Sequence, residues 1–266
     1  MEQIVISFRG RDADNGHIDA FAGIESAAGI ARALTLIGHY VATGTVRHRF
    51  PFDPKVQFFL EGTEEGSFNW TIALSVAGSL ALGLTTNAIY DIAKVAFNRA
   101  IGEEPASISE QVNQLDRRRS GDIDALIEVV EPALKKAHYG IGETANKIVI
   151  QKKRSKENLV EFNFESKSYL NDSVEGDDDI QDVSISALNV NDKTGRAYFL
   201  DLGRTVPFRV SKDADPDTMT VLSKGLDRYA NNNVAPIQIS FVRVEAVDGR
   251  LKKVIIFKAV DISEEE

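Results

Sequence analysis

From Gly66 to Tyr90 the chain carries no charged residue, although 27% of the protein is charged. A run of that kind belongs in a core, a subunit contact or a membrane, because nothing in it demands water. Its first part alternates, Phe68 and Trp70 against Asn69 and Thr71, which is the period of a strand. From Ala77 the reading is a long helix to Ile101, apolar almost all round, in which Ala77, Gly78, Ala81 and Gly83 are small enough to admit a second helix. The expected consequence is a homo-oligomer assembled through this helix. The alternative is a membrane-active effector that inserts residues 66–90 into a bilayer. That segment also contains Ser67, Asn69, Thr71, Ser75, Ser79, Thr85, Thr86 and Asn87, and a strand feeding a buried helix accommodates these better.

The surrounding pattern predicts an α+β fold in two parts. Ile4, Ile6 and Phe8 alternate with Val5 and Ser7 in a first strand ending at Gly10, and His17–Phe21 is placed to pair back with it. Ile30, Leu34, Ile37 and Val41 then recur at helical spacing, with Gly44 where a C-cap belongs. Strands are expected at Thr45–Phe50, Val56–Leu60 and Ser67–Ser75, the last two joined by a turn over Gly62–Gly66. After the long helix come helices at about Ser107–Arg118 and Ile123–His138, separated near Arg117–Gly121. Residues 1–140 therefore read as a mixed sheet with a helical layer. Residues 141–175 read as a strand pair, Lys147–Gln151 and Leu159–Phe164, followed by a linker in the Asp-, Gly- and Ser-rich stretch Asn171–Asp179.

Residues 176–266 give strands at Val183–Val190, Gly195–Leu202 and Thr205–Val210, a helix at Pro216–Tyr229, and strands at Ile237–Val247 and Leu251–Ile262 that turn at Asp248-Gly249. Three strands, a helix and two strands is the order of a small OB-like β-barrel. Val183, Ile185, Val206, Phe208, Ile237, Ile239 and Phe241 form its inward set. The outward set includes Arg196, Arg204, Arg209 and Arg243 with Tyr198 among them, and Lys252-Lys253 after the last turn. Arginines interleaved with an aromatic ring can hold phosphates and stack bases, so these residues are the candidate ligand or partner surface. The competing reading is a solvated, charge-protected sheet exterior. The protein's net charge of −9, and an excess of acidic over basic residues within 176–266, confine any nucleic-acid contact to a local patch.

Catalytic chemistry finds little purchase. With no cysteine there is no thiolate nucleophile, thiolate zinc site or disulfide. The four histidines, His17, His39, His48 and His138, include no metal-binding i, i+4 pair. Asp12, Asp14 and Asp19 could hold a hard cation and serve a metal-dependent hydrolase, but Asp-rich loops are ordinarily solvated turns. Neither a phosphate-cradling glycine loop nor a Gly-x-Ser-x-Gly elbow occurs. No cofactor and no metal site is expected. The N-terminal residues form a strand rather than a secretory signal, which makes the cytoplasm the expected compartment.

Gly66-Ser67-Phe68, Glu131-Pro132-Ala133-Leu134 leading to Ala137-His138, Gly195-Arg196-x-Tyr198, Arg204-Thr205-Val206-Pro207-Phe208 and Asp248-Gly249-Arg250-Leu251-Lys252-Lys253 together resemble a bacterial two-domain family of no assigned activity. The resemblance implies the same two-part layout. It also suggests an accessory protein of mobile or anti-phage genes, and it carries over no catalytic residue. The expectation from sequence is a non-catalytic binding and assembly protein that presents a barrel face to a protein or nucleic-acid partner.

Overall fold

The first strand, β1 (Glu2–Arg9), lies at the centre of a five-stranded sheet, and its alternation decides which face is covered. Ile4, Ile6 and Phe8 point to the helical layer and Val5 and Ser7 to the other face. β2 (Val56–Glu61), β3 (Asn69–Val76), β4 (Lys147–Lys152) and β5 (Asn158–Phe162) complete the order β2-β3-β1-β4-β5. Every pairing is antiparallel, so the sheet expected to be mixed is not. Register stacks apolar residues across strands, with Ile72, Ile4 and Leu74 beside Ile148, Ile150 and Phe162 on the helical side. The computed structural model describes residues 2–61, 68–231 and 236–262. The Gly62–Gly66 turn falls outside the described residues.

α1 (Ala20–Thr43) starts where Asp19 accepts the Ala22 N–H at 2.8 Å and ends at Gly44, whose φ of 74° supplies the left-handed cap. Asp19 as N-cap is why His17–Phe21 does not form a strand. Thr45–Phe50 is likewise irregular. Among the described residues α1 is the one helix long and apolar enough to cross a membrane, with a mean hydropathy of 1.4 over a window half buried in the protein. Gly29 lets it meet α4 (Ser120–Ala137) backbone to backbone: an added Cβ would stand 2.4 Å from Ala137 N and 2.6 Å from Ala133 O.

The uncharged segment does not form one long helix. β3 takes residues 69–76, an irregular connection takes 77–85, and α2 spans Thr86–Ala100. Gly78 and Gly83 have φ of 74° and 62°, a conformation that breaks a right-handed helix and that glycine adopts without strain. Leu80 and Leu84 are buried, and Ala77, Gly78, Ala81 and Gly83 stand exposed in the connection. Among the described residues of this segment, from Phe68 to Tyr90, these small residues form no helix face for a second helix and no membrane-length helix occurs. The absence of charge there reflects a central strand and a buried helix, with a loop anchored between them by two leucines.

α3 (Glu110–Arg118) and α4 bracket the expected break, and α5 (Phe164–Asn171) follows β5 directly. The chain divides into two compact units, Met1–Gln114 with Leu126–Asn171, and Leu115–Ala125 with Asp172–Glu266. The strand pair expected within 141–175 is an integral part of the first sheet. The expected linker Asn171–Asp179 instead supplies the start of a long strand.

That strand, β6 (Ser173–Asn189), is followed by β7 (Thr194–Phe199), β8 (Arg204–Val210), α6 (Thr218–Ala230), β9 (Ile237–Ala246) and β10 (Leu251–Val260). The ring closes as β10-β8-β7-β6-β9, antiparallel everywhere except between β8 and β10. In barrel order the strands run one-two-three-five-four and back to one, with a helix between the third and fourth: an OB-like barrel. Its core holds Val183, Ile185, Phe199, Val206, Phe208, Ile237, Ile239, Phe241, Val254 and Ile256, plugged from α6 by Leu222. Gly225 allows α6 to approach Ile185 and Ile237.

Candidate interaction surface

The outward residues of β7 and β8 are set by the same alternation that fills the core. Ala197 and Phe199 point in, so Arg196 and Tyr198 point out. Val206, Phe208 and Val210 point in, so Thr205, Pro207 and Arg209 point out. Across β8, Arg209 lies beside Ile255 of β10, and Lys253, one step before the Val254–Phe208 pair, lies beside Pro207. Three adjacent strands thus bring Arg196, Tyr198, Arg209 and Lys253 onto one exterior. Arg204 sits exposed at the start of β8, opposite Phe199. Arg243 is on β9, away from that face, and Lys252 lies in a register shift of β10.

Two of the candidate cations are engaged by carboxylates. Arg196 donates Nε to Asp124 Oδ2 at 2.7 Å and Nη2 to Oδ1 at 2.9 Å, a bidentate clamp on a side chain only 5% exposed. Asp124 belongs to the first turns of α4, in the segment Leu115–Ala125 that is part of the barrel's own unit. The same turn is fixed by Asn189, which donates to Asp122 Oδ1 at 3.2 Å, and by Gly121, packed near the backbone of Leu188 and Asn189. Burial raises the Asp122 carboxyl above the usual carboxylate range, against the pull of Arg119. Arg243 donates to Asp179 at 2.9 Å and lies 3.9 Å from Asp201. Arg196 is therefore a structural tie to α4 rather than a free phosphate ligand, and the basic exterior is weaker than its residue count suggests.

The outer surface carries another feature that alternation alone does not reveal. Ile180 is 60% exposed, Leu200 56% and Tyr198 37%. Tyr198 faces Ser184 of β6 across the strand pair, and Ile180 shares that outward side of β6. Asp182 shares that outward side of β6, between Ile180 and Ser184, and Asp201 follows Leu200 in the chain. A concavity of about 710 Å³ lies along α6, lined by Val190, Met219, Thr220, Ser223, Lys224, Asp227 and Arg228.

The candidate chemical residues of the first unit are absorbed in structure. Asp14 accepts the Gly10 N–H at 2.7 Å and Asp19 caps α1, so the acidic cluster is committed to turns. Among the described residues no group of three His, Asp or Glu side chains is placed to hold a metal ion. His39 accepts the Asp53 N–H at Nδ1, 3.0 Å, which leaves it neutral; burial first, then Arg47, lowers its pKa against Asp53. The structure also reveals a Ser–His pair that sequence did not nominate: His138 Nε2 and Ser166 Oγ are 2.8 Å apart. His138 Nδ1 faces the Leu134 carbonyl at 2.8 Å rather than a carboxylate, and both side chains are buried, so the pair is a core hydrogen bond rather than a nucleophile. On α2, buried Lys94 donates to Glu157 at 2.9 Å, and Lys152 donates to the other oxygen of that carboxylate at 3.1 Å. Both hold Glu157 below the usual carboxylate range.

A family model described as a domain of unknown function, DUF7946, matches residues 4–171, and one described as a family of unknown function, DUF7947, matches residues 179–260. The chain belongs to the DUF7946 family. The DUF7946 match coincides with the five-stranded sheet and its helices, and the DUF7947 match with the barrel. No curated protein and no solved structure matches the chain.

Proposed function

We propose that the protein is a non-catalytic binding protein whose barrel docks a protein partner over Ile180, Tyr198 and Leu200. The observation that carries this reading is the exposure of three large apolar side chains on β6 and at the end of β7, with charged residues beside them, a mixture found at protein interfaces. Arg204, exposed at the start of β8, would steer and orient the partner. Nucleic acid is the weaker reading, because Arg196 and Arg243 already face carboxylates and the protein is acidic overall. The family resemblance supports an accessory role in bacterial mobile or anti-phage genes, and the compartment we propose is the cytoplasm.

A photo-crosslinking residue at Tyr198, introduced in the native host, identifies the partner, which is then purified and titrated. Leu200→Asp is expected to abolish binding, while Arg209→Glu, at the far end of β8, leaves it intact. Equal binding by wild type, Leu200→Asp and Tyr198→Ala would overturn the reading. So would single-stranded DNA or RNA binding that is lost in Arg209→Glu.

A further inference from the structure

The first sheet ends in two unlike edges. β5 is the guarded one: its side chains are largely buried, and Asn98 of α2 donates to the Leu159 carbonyl at 2.7 Å. β2 is the other, and it exposes Phe59 by 49% and Leu60 by 66%. Proteins ordinarily blunt an edge strand with central charges, proline or a bulge, because an apolar edge is a template for another strand. β2 has none of these in its interior. Its charges sit at the ends, Lys55 just before it and Glu61 as its last residue, and they are opposite in sign.

That arrangement is self-complementary. Laid antiparallel on a second copy about a two-fold axis at Phe58, β2 sets Val56 against Leu60, Gln57 against Phe59 and Lys55 against Glu61. Side chains one residue apart alternate faces, so Lys55, Gln57, Phe59 and Glu61 share the face away from the helices, and Val56, Phe58 and Leu60 share the α1 face. The opposed pairs are thus matched in face as well as chemistry. Glu61 already accepts from Gln3 Nε2, and a carboxylate has capacity for the lysine besides. A parallel pairing would place like charges together.

We propose that β2 is a homodimer interface, pairing antiparallel with β2 of a second copy to make one continuous ten-stranded sheet. This surface lies in the first unit and stands independently of the barrel docking patch. It also replaces the helix-mediated self-association expected from sequence, whose small residues lie in the 77–85 connection.

Sedimentation velocity of the full chain from nanomolar to high micromolar concentration is the test, with circular dichroism to establish that each variant is folded. The wild type is expected to dimerise and Leu60→Lys to be monomeric. Lys55→Glu should weaken the dimer about tenfold, since the two-fold repeats each like-charge clash, and adding Glu61→Lys should restore it. Because the chain has no cysteine, Gln57→Cys mixed with Phe59→Cys should form a disulfide-linked dimer. Each of these variants alone should form far less. A chain monomeric throughout overturns the proposal, and so does a dimer indifferent to Leu60→Lys and to the charge exchange.

Discussion

His138→Gln isolates a single buried proton-binding site. Burial lowers the imidazole from 6.5 to about 4, opposed by the Leu134 carbonyl and aided by Lys167. Its hydrogen bonds to Leu134 and Ser166 and its ring contact with Phe162, 4.3 Å between centroids, suit the neutral form. The native state therefore binds fewer protons than the unfolded chain between those two values. Stability from this site is complete above pH 6.5, falls with pH through the interval, and is fully lost below about 4. At about 1.4 kcal/mol per pH unit, the interval is worth about 3 kcal/mol. Urea unfolding of wild type and His138→Gln at several pH values from neutral to 4 measures it. The variant bears a constant offset from altered packing, and the wild type should lose about 3 kcal/mol more than the variant on acidification. His39, also lowered by burial, contributes alike to both proteins. Parallel pH profiles, or an imidazole of His138 titrating near 6.5 by NMR, would refute the reasoning.

Arg196→Ala leaves the Asp124 carboxylate buried and should cost about 2–3 kcal/mol by urea unfolding. Arg196→Lys should recover only part of that, because one ammonium cannot span both oxygens. A loss below about 0.5 kcal/mol would show the clamp to be idle. Gly29→Ala should cost about 1–3 kcal/mol in the same assay, since the new methyl meets backbone of α4. Gly38→Ala should be milder, its neighbours being side-chain atoms of Val56 and Phe58. Asp19→Ala should cost about 1 kcal/mol and Asp19→Asn far less, read by thermal unfolding, because asparagine still accepts the Ala22 N–H.

What was legible in the residues was whatever burial writes locally. β1, α1 with its Gly44 cap, and all five barrel strands with their intervening helix follow from periodicity and punctuation. The 77–101 helix failed because lack of charge reports burial without reporting conformation, and Leu80 and Leu84 have helical spacing by accident of being two anchors in one loop. Asn171–Asp179 looked like a linker because its side chains are solvated, yet its backbone pairs with β9. A strand exposed on both faces leaves no hydrophobic period. In the candidate site, Tyr198 and the arginines were visible, but Arg196 meets an aspartate from a distant helix, and no local pattern encodes that meeting. The exposed Leu200 was missed because an apolar residue in an expected strand reads as core until its direction is known, and Ile180 because it fell between the expected linker and the expected start of the strand at Val183.

The barrel's unit draws Leu115–Ala125 from mid-chain as well as everything after Asn171. A gene fragment beginning at Asp172 would encode all five strands and the plugging helix, and would still strand Arg196 without Asp124. A barrel cut out there is expected to be less stable than the same barrel in the full chain, because the contacts of Leu115–Ala125 are lost with the other fragment. The DUF7947 match, 179–260, covers the barrel without that segment, so the contribution of Leu115–Ala125 is a property of this chain's own packing.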